Sequence, residues 1–331
     1  MRSKTLAAIR AAAFPLAACA ATALLPAPCA HAQGYPNKPV RLVVPLGVGG
    51  SVDALARVLA QKMSDNMGQQ AIVENRAGAS GNIGTEYVAH SAPDGYTTLF
   101  VSITLVVNQS LFAKTGYDPV KDFAPVSLLA QAPMVLDVHP SVPVKNVTEF
   151  VALAKQQNGK LNYQSAGKGT NSHLSMELFK YLSGAPITQI AYRGGGQGEM
   201  ALLAGEVQSG FNGVANAVPQ IASGKLKPLG ISGNKRVGVL PDLPTIAESG
   251  VPGYNFQTWY ALLLPAGTPP ALVTALREQA VKAMRDPELG KRLSGDGTEI
   301  ITSTPEQLSA HIASESALWA KVVKGSGVSK D

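Results

Sequence analysis

The stretch Val40-Arg41-Leu42-Val43-Val44-Pro45-Leu46-Gly47-Val48-Gly49-Gly50-Ser51 decides the fold. Its first half is a β-branched apolar run and its second half a glycine-rich turn. From Val52 onward, Val52, Leu55, Ala56, Leu59 and Met63 recur at the spacing of one buried helix face. A strand, a glycine turn and a helix in this order expose backbone N–H groups at a helix N-terminus, where the dipole also favours negative charge. The unit returns at Leu161–Ser165, followed by Ala166-Gly167-Lys168-Gly169-Thr170-Asn171 and a helix from Ser172. Two such turns, far apart in the chain, read as two lobes that grip one small anion.

Outward from the first unit, runs at Val40–Val44, Ala71–Val73 and Thr97–Val101 alternate with helical patterns, the second helix starting near Gly81 with Ile83, Tyr87 and Val88. That alternation predicts βαβ units and a largely parallel sheet. A long extended stretch, Pro125 to Val138, has the length to leave one lobe and enter another. Beyond it, helices are predicted over 149–157, 172–183, 198–204 and 215–223, and strands over 161–164, 188–192, 207–211 and 226–231. Trp259–Leu264 offers a return path, Pro269-Pro270 opens a helix to about Met284, and Ser303-Thr304-Pro305-Glu306 opens the last one. Two crossings make a two-segment hinge, which suits closure on a ligand. The expected division is 33–130 plus 260–331 for the first lobe and 131–259 for the second.

Residues 1–32 read as an export leader. Arg2, Lys4 and Arg10 precede an alanine-rich stretch, and Ala30-His31-Ala32 is a small-residue cleavage signature. The minor alternative is a lipid on Cys19, from the run Leu16-Ala17-Ala18-Cys19. Both cysteines of the chain, Cys19 and Cys29, fall in the leader, which leaves the rest without disulfides, thiolate metal sites or cysteine nucleophiles. The formal charge of +6 falls to +3 once three leader bases are removed, and no Lys/Arg run supports a nucleic-acid partner.

Strings in fixed order carry a resemblance. Pro45–Arg57 is one, Val73–Gly84 another, then Pro93-Asp94-Gly95-Tyr96-Thr97, then Ser165–Thr170 with His173 and Glu177. Tyr192-Arg193-Gly194-Gly195-Gly196, Leu240–Thr245 with Glu248, Gly250 and Trp259, and Pro265–Pro269 complete the set. Over residues 35–331 the chain resembles the Bug family, the periplasmic substrate-binding proteins of tripartite tricarboxylate transporters. The resemblance implies an α/β, type II periplasmic binding fold, with two lobes, a two-segment hinge and a ligand cleft between them. It implies a small carboxylate ligand (a di- or tricarboxylate or an aromatic acid) handed to the permease subunits of a tripartite transporter in the membrane. It implies a periplasmic monomer with no cofactor and no metal.

Candidate ligand-binding residues follow from both readings. Leu46, Gly47, Val48, Gly49 and Gly50 form the first loop, where Gly49 and Gly50 can present N–H groups; the alternative is an ordinary strand-to-helix turn. Asp53 is read as an interaction with the helix N-terminus rather than with ligand. In the second loop Ser165, Ala166, Gly167 and Thr170 can converge on one carboxylate, or simply cap the helix. His173 lines the cleft or serves as a structural hydrogen-bonder, and Lys168 helps to draw in an anion or is solvated. Arg193, before three glycines, forks onto a carboxylate or braces the lobe. Ser102 adds a hydroxyl from the first lobe. Asn212 follows a strand whose end faces the cleft, at a position where many Bug proteins carry Asp. A neutral amide there supplies no charge to an ammonium group, so a ligand without a cationic amine is expected.

Two other classes compete. A hydrolytic enzyme is poorly supported: there is no Gly-x-Ser-x-Gly elbow or His-Glu-x-x-His, and the four histidines beyond the leader are scattered. A ligand sensor signalling to a membrane kinase would use the same closure, and no residue separates it from a transport receptor.

Overall fold

The apolar run that opens the chain's first unit becomes β1 (Val40–Val44), whose side chains are almost all buried. In this computed structural model, which describes residues 34–49, 51–192, 194–295 and 297–326, it is followed by α1 (Ser51–Met67), β2 (Ala71–Asn75), α2 (Asn82–Ala89), β3 (Thr97–Val101) and α3 (Thr104–Leu111). The long β4 (Phe123–Val138) leads to α4 (Val147–Gln157), β5 (Asn162–Ser165), α5 (Asn171–Ser183), β6 (Thr188–Ala191), α6 (Gly195–Leu203), β7 (Ser209–Gly213), α7 (Val214–Ala222) and β8 (Lys227–Ile231). The chain returns through β9 (Gln257–Pro265) to α8 (Pro270–Met284), α9 (Pro287–Gly295), β10 (Glu299–Ile300) and α10 (Pro305–Ser326). The leader, with Cys19 and Cys29, lies outside the described residues, as do Gly50 and Arg193.

The strands form one sheet in the order β2-β1-β3-β9-β4-β7-β5-β6, with β8 and β10 also paired to β4. Its two ends are parallel: β1 pairs with β2 and β3, and β5 with β6 and β7. Its centre is antiparallel, which corrects the expectation of a largely parallel sheet. There β9 runs against β3 and β4, and β4 against β7, β8 and β10. The cause is the chain path. A strand that crosses from one end to the other and a strand that comes back must run in opposite directions when they lie side by side. Thus β4 pairs with β9 from Phe123 to Pro133 and with β7 from Met134 to Val138.

Helices cover both faces. On one, α1 buries Val52, Leu55, Ala56, Leu59 and Met63 against β1 and α8, the face its apolar spacing predicts. On the other, α10 packs on α3, α5 and β4 through Leu308, Ile312, Trp319 and Val322. Parallel strands joined by helices put strand ends and helix starts at one edge of the sheet. Among the described residues no helix is long and apolar enough to cross a membrane.

Candidate functional site

Helix starts gather at that edge. The first turns of α1, α3 and α5 border a cavity of about 220 Å³, where Ser51, Ser102, Thr104, Lys168, Thr170 and Asn171 contribute walls. A chamber of about 580 Å³ adjoins it through Ser51, Thr170 and Asn171. The first turns of α6 and α7 reach the chamber through Gly195 and Asn216, and Gln164, Glu199, Asn212 and Tyr260 complete much of the wall. Five helices therefore point their N-terminal ends at one cleft.

Four of those starts carry no side-chain cap: α3, α5, α6 and α7. Thr170 stands at the N-cap of α5, yet its hydroxyl donates back to the Gly167 carbonyl at 2.7 Å. Away from the cleft the pattern is mixed: α2 and α8 also lack a side-chain cap, whereas α4, α9 and α10 have one. The Asn146 side chain accepts from the Glu149 N–H at the start of α4, and Thr304 and Gln307 exchange bonds at the start of α10. First-turn N–H groups have no partner within their own helix. In α3 two of them are taken, the Leu105 N–H by the Ser102 carbonyl and the Val106 N–H by the Ile103 carbonyl; those of α5, α6 and α7 have no side-chain cap and make the cleft lining electropositive. Lys168 is the one cation among the described wall residues of the two cavities.

The first loop is held from behind. Asp53, in the first turn of α1 and 2 % exposed, accepts from the Gly49 N–H at 2.9 Å, from Arg57 Nε at 3.1 Å and from Asn75 Nδ2 at 2.9 Å. Asn75 Nδ2 also donates to the Leu46 carbonyl. The Arg57 bond, helped by Gly49 and Asn75 and opposed by burial, lowers the Asp53 carboxyl to about 2. Gly49 takes φ +88°, which a side chain would resist. Its N–H is thus committed to Asp53 and does not face ligand, contrary to the reading that it presents a donor. Leu46 and Gly47 line the smaller cavity and Gly49 the larger, while Val48 points to solvent, 73 % exposed.

In the second loop Ala166 lines the chamber and Thr170 both cavities. Ser165, Gly167 and His173 line neither. The Ser165 hydroxyl is fully buried and accepts from Gln189 Nε2 at 2.6 Å and from the Gly167 N–H at 3.2 Å. As the last residue of β5 it faces the neighbouring strand, not the cleft. His173 Nδ1 accepts from the Gly169 N–H at 3.2 Å, which is the structural role weighed for it, and burial lowers its pKa. Ser102 lines the smaller cavity. Nearby, Ala79 and Ser80 both take positive φ, and Asn108 Nδ2 holds the Ser80 carbonyl at 3.0 Å. Two such non-glycine residues in succession are strained, and Ser80 sits in the cavity wall.

At the far side of the chamber Asn212 is engaged at both polar atoms. Its Oδ1 accepts from Gln164 Nε2 at 3.1 Å and its Nδ2 donates to Asp137 Oδ2 at 3.2 Å. Asp137 is fully buried; burial, opposed by the Asn212 bond and aided by the Glu199 charge, pushes its carboxyl well above the usual carboxylate range. Burial raises Glu199 as well. Gln164 fits because residues 198 and 210 are glycine: a Cβ at Gly210 would come within 2.7 Å of its Cγ. Its Oε1 has no partner. Reading charge from Asn212 alone therefore missed Glu199 in the chamber wall and the buried Asp137 behind Asn212. Glu199 was legible only as a residue one turn into a helix after a glycine run, and Asp137 sat unremarked in an apolar strand. Among the described residues no group of three or more His, Cys, Asp or Glu side chains is placed to hold a metal ion.

Residues 55–328 match the model of the tripartite tricarboxylate transporter family receptor. The chain belongs to this family. The receptor is 35 % identical over 309 residues to protein BugT of Bordetella pertussis, covering 93 % of this chain and 94 % of that protein. Its structure is similar to that of R. palustris Rpa4515 with adipate, with a TM-score of 0.78 and 35 % identity over 90 % of this chain and 100 % of the other. The periplasmic binding protein BugD superposes with a TM-score of 0.76 at 34 % identity, over 90 % of this chain and 100 % of BugD. The receptor therefore has the α/β periplasmic binding fold and is a solute-binding protein, not an enzyme.

Proposed function

We propose that the receptor binds a small organic carboxylate in the cleft and delivers it to the permease subunits of a tripartite transporter. The observation that carries this reading is the convergence of five helix N-termini, four of them uncapped, on two joined cavities. Helix N-terminal N–H groups are ready-made anion partners. The carboxylate belongs at the junction of Ser51, Thr170 and Asn171, beside Lys168; the chamber with Glu199 takes the rest of the molecule. The adipate held by Rpa4515 is a ligand of this chemistry.

Residues 33–130 with 260–331 make one lobe and 131–259 the other, closing about the crossing strands. The change of partner along β4, from β9 to β7 at Met134, supports a hinge there. The receptor works as a periplasmic monomer after removal of residues 1–32.

A thermal-shift screen tests the function. The protein is unfolded and refolded to strip carried-over ligand, then melted with dicarboxylates, citrate, aromatic acids, amino acids and sugars. An acid at a hundred times its dissociation constant stabilises by about 2.7 kcal/mol. Shifts confined to acids support the reading; shifts with sugars alone, or with nothing, refute it.

A further inference from the structure

The cleft does not end at the chamber. A third cavity of about 280 Å³ opens from it, sharing Ser51, Ala132, Pro133, Gly213, Asn216 and Tyr260 with the chamber. Its remaining wall is mostly aliphatic: Ala54, Leu55 and Val58 from α1, Val214 from α7, and Leu289 and Leu293 from α9. Ser51, Ala54, Leu55 and Val58 follow the i, i+3, i+4, i+7 spacing of a single helix face, so this annex runs along α1 from its N-terminus. At a rise of about 1.5 Å per residue, Val58 lies roughly 10 Å along the axis from Ser51.

Ser51 is common to all three cavities. An acid seated at the start of α1 therefore has an apolar slot directly beside it, within reach of a two- or three-atom spacer. An apolar cavity of about 150 Å³ holds a benzene-sized ring. The annex exceeds that without having room for two rings. We propose that it is a ring-sized subsite, and that the receptor takes a carboxylate bearing an aromatic ring on a short spacer. This proposal rests on the carboxylate reading and adds the class of acid. Simple C4 acids leave the annex unfilled, whereas a ring there removes apolar surface from water on both partners.

Calorimetric titration of the refolded protein tests it with succinate, phenylacetate and 3-phenylpropionate. A ring-bearing acid is expected to bind at least about tenfold tighter than succinate, the scale on which pockets discriminate apolar groups. Ala54 is exposed on α1, so Ala54→Phe fills the annex without disturbing the core. The affinity ratio of 3-phenylpropionate to succinate should then fall at least about tenfold, and Val58→Phe, with melting curves recorded for both variants, should lower it too. Succinate binding with no gain from a ring overturns the annex and leaves the carboxylate reading standing. A ring advantage that persists in both folded variants also overturns it. Failure of every acid to bind overturns the carboxylate reading itself, and the annex with it.

Discussion

Adding one methyl group at Gly84 should unseat the first ligand loop. Gly84 is buried in α2, and a Cβ there would lie 2.6 Å from the Arg76 carbonyl oxygen and 2.8 Å from Pro45 Cα. Both neighbours are backbone, so no side chain can swing aside; either α2 or the Pro45 segment has to move. Overpacking of this kind costs about 1–3 kcal/mol, and the rigid neighbours put Gly84→Ala at the upper end. Alanine returns about 1 kcal/mol of helix propensity, for a net loss of about 2 kcal/mol. At roughly 2 °C per kcal/mol for a chain of this size, the melting point should drop by about 4 °C. Gly290 in α9 is the control, because a Cβ there meets nothing within 4 Å. Gly290→Ala keeps only the propensity gain and should raise the melting point by about 2 °C. Calorimetry on the three proteins side by side measures the contrast. Because Pro45 leads directly into Leu46 and Gly47, ligand affinity should also fall in Gly84→Ala and not in Gly290→Ala. A Gly84→Ala protein that melts at or above the parent would refute the close-packing argument.

The Asp53 carboxyl titrates at about 2 when folded, below its unfolded value near 3.9, so its contribution is present above about pH 4 and lost as pH falls toward 2. Melting curves of Asp53→Asn should therefore show a weaker decline over that window than those of the parent. Asp137 behaves oppositely, since its raised pKa means that stability is lost as pH rises above the unfolded value. Asp137→Asn should gain more melting temperature over the parent at pH 8 than at pH 5; an equal gain at both would contradict a protonated or strained buried acid. Ser165→Ala should cost about 1 kcal/mol of stability through the lost Gln189 and Gly167 bonds while leaving ligand affinity unchanged in calorimetry. A large loss of affinity without loss of stability would return Ser165 to the cleft.

Much of the architecture was legible because it is local. The strand-turn-helix units at Val40 and Leu161 announce themselves through apolar spacing and glycine position, and α1, α5, α8 and α10 begin within a residue of where their turn or proline signals place them. What escaped was what local pattern does not encode. The helix α3 was unread because Thr104-Leu105-Val106-Val107 is apolar and β-branched, and a helix buried through Leu105, Val106, Val107 and Asn108 has no polar face to reveal its period. Asp137 looked like an interruption in a strand, because Asn212, which donates to it, lies 75 residues further on.

For the site, sequence by itself determined which segments can offer N–H groups to an anion. Those groups are orphaned within four residues of each helix start, and glycine and hydroxyl residues mark the starts. Tertiary structure alone decided which of those groups remain available. Asp53 takes the Gly49 N–H, Gln189 and the Gly167 N–H bond to the Ser165 hydroxyl, and the His173 ring accepts the Gly169 N–H, so three promising loop positions are used for support. It also decided that five helix starts share one cleft with an apolar annex. That depends on strand order, and strand order is set by the opposed crossings of β4 and β9 through the middle of the sheet.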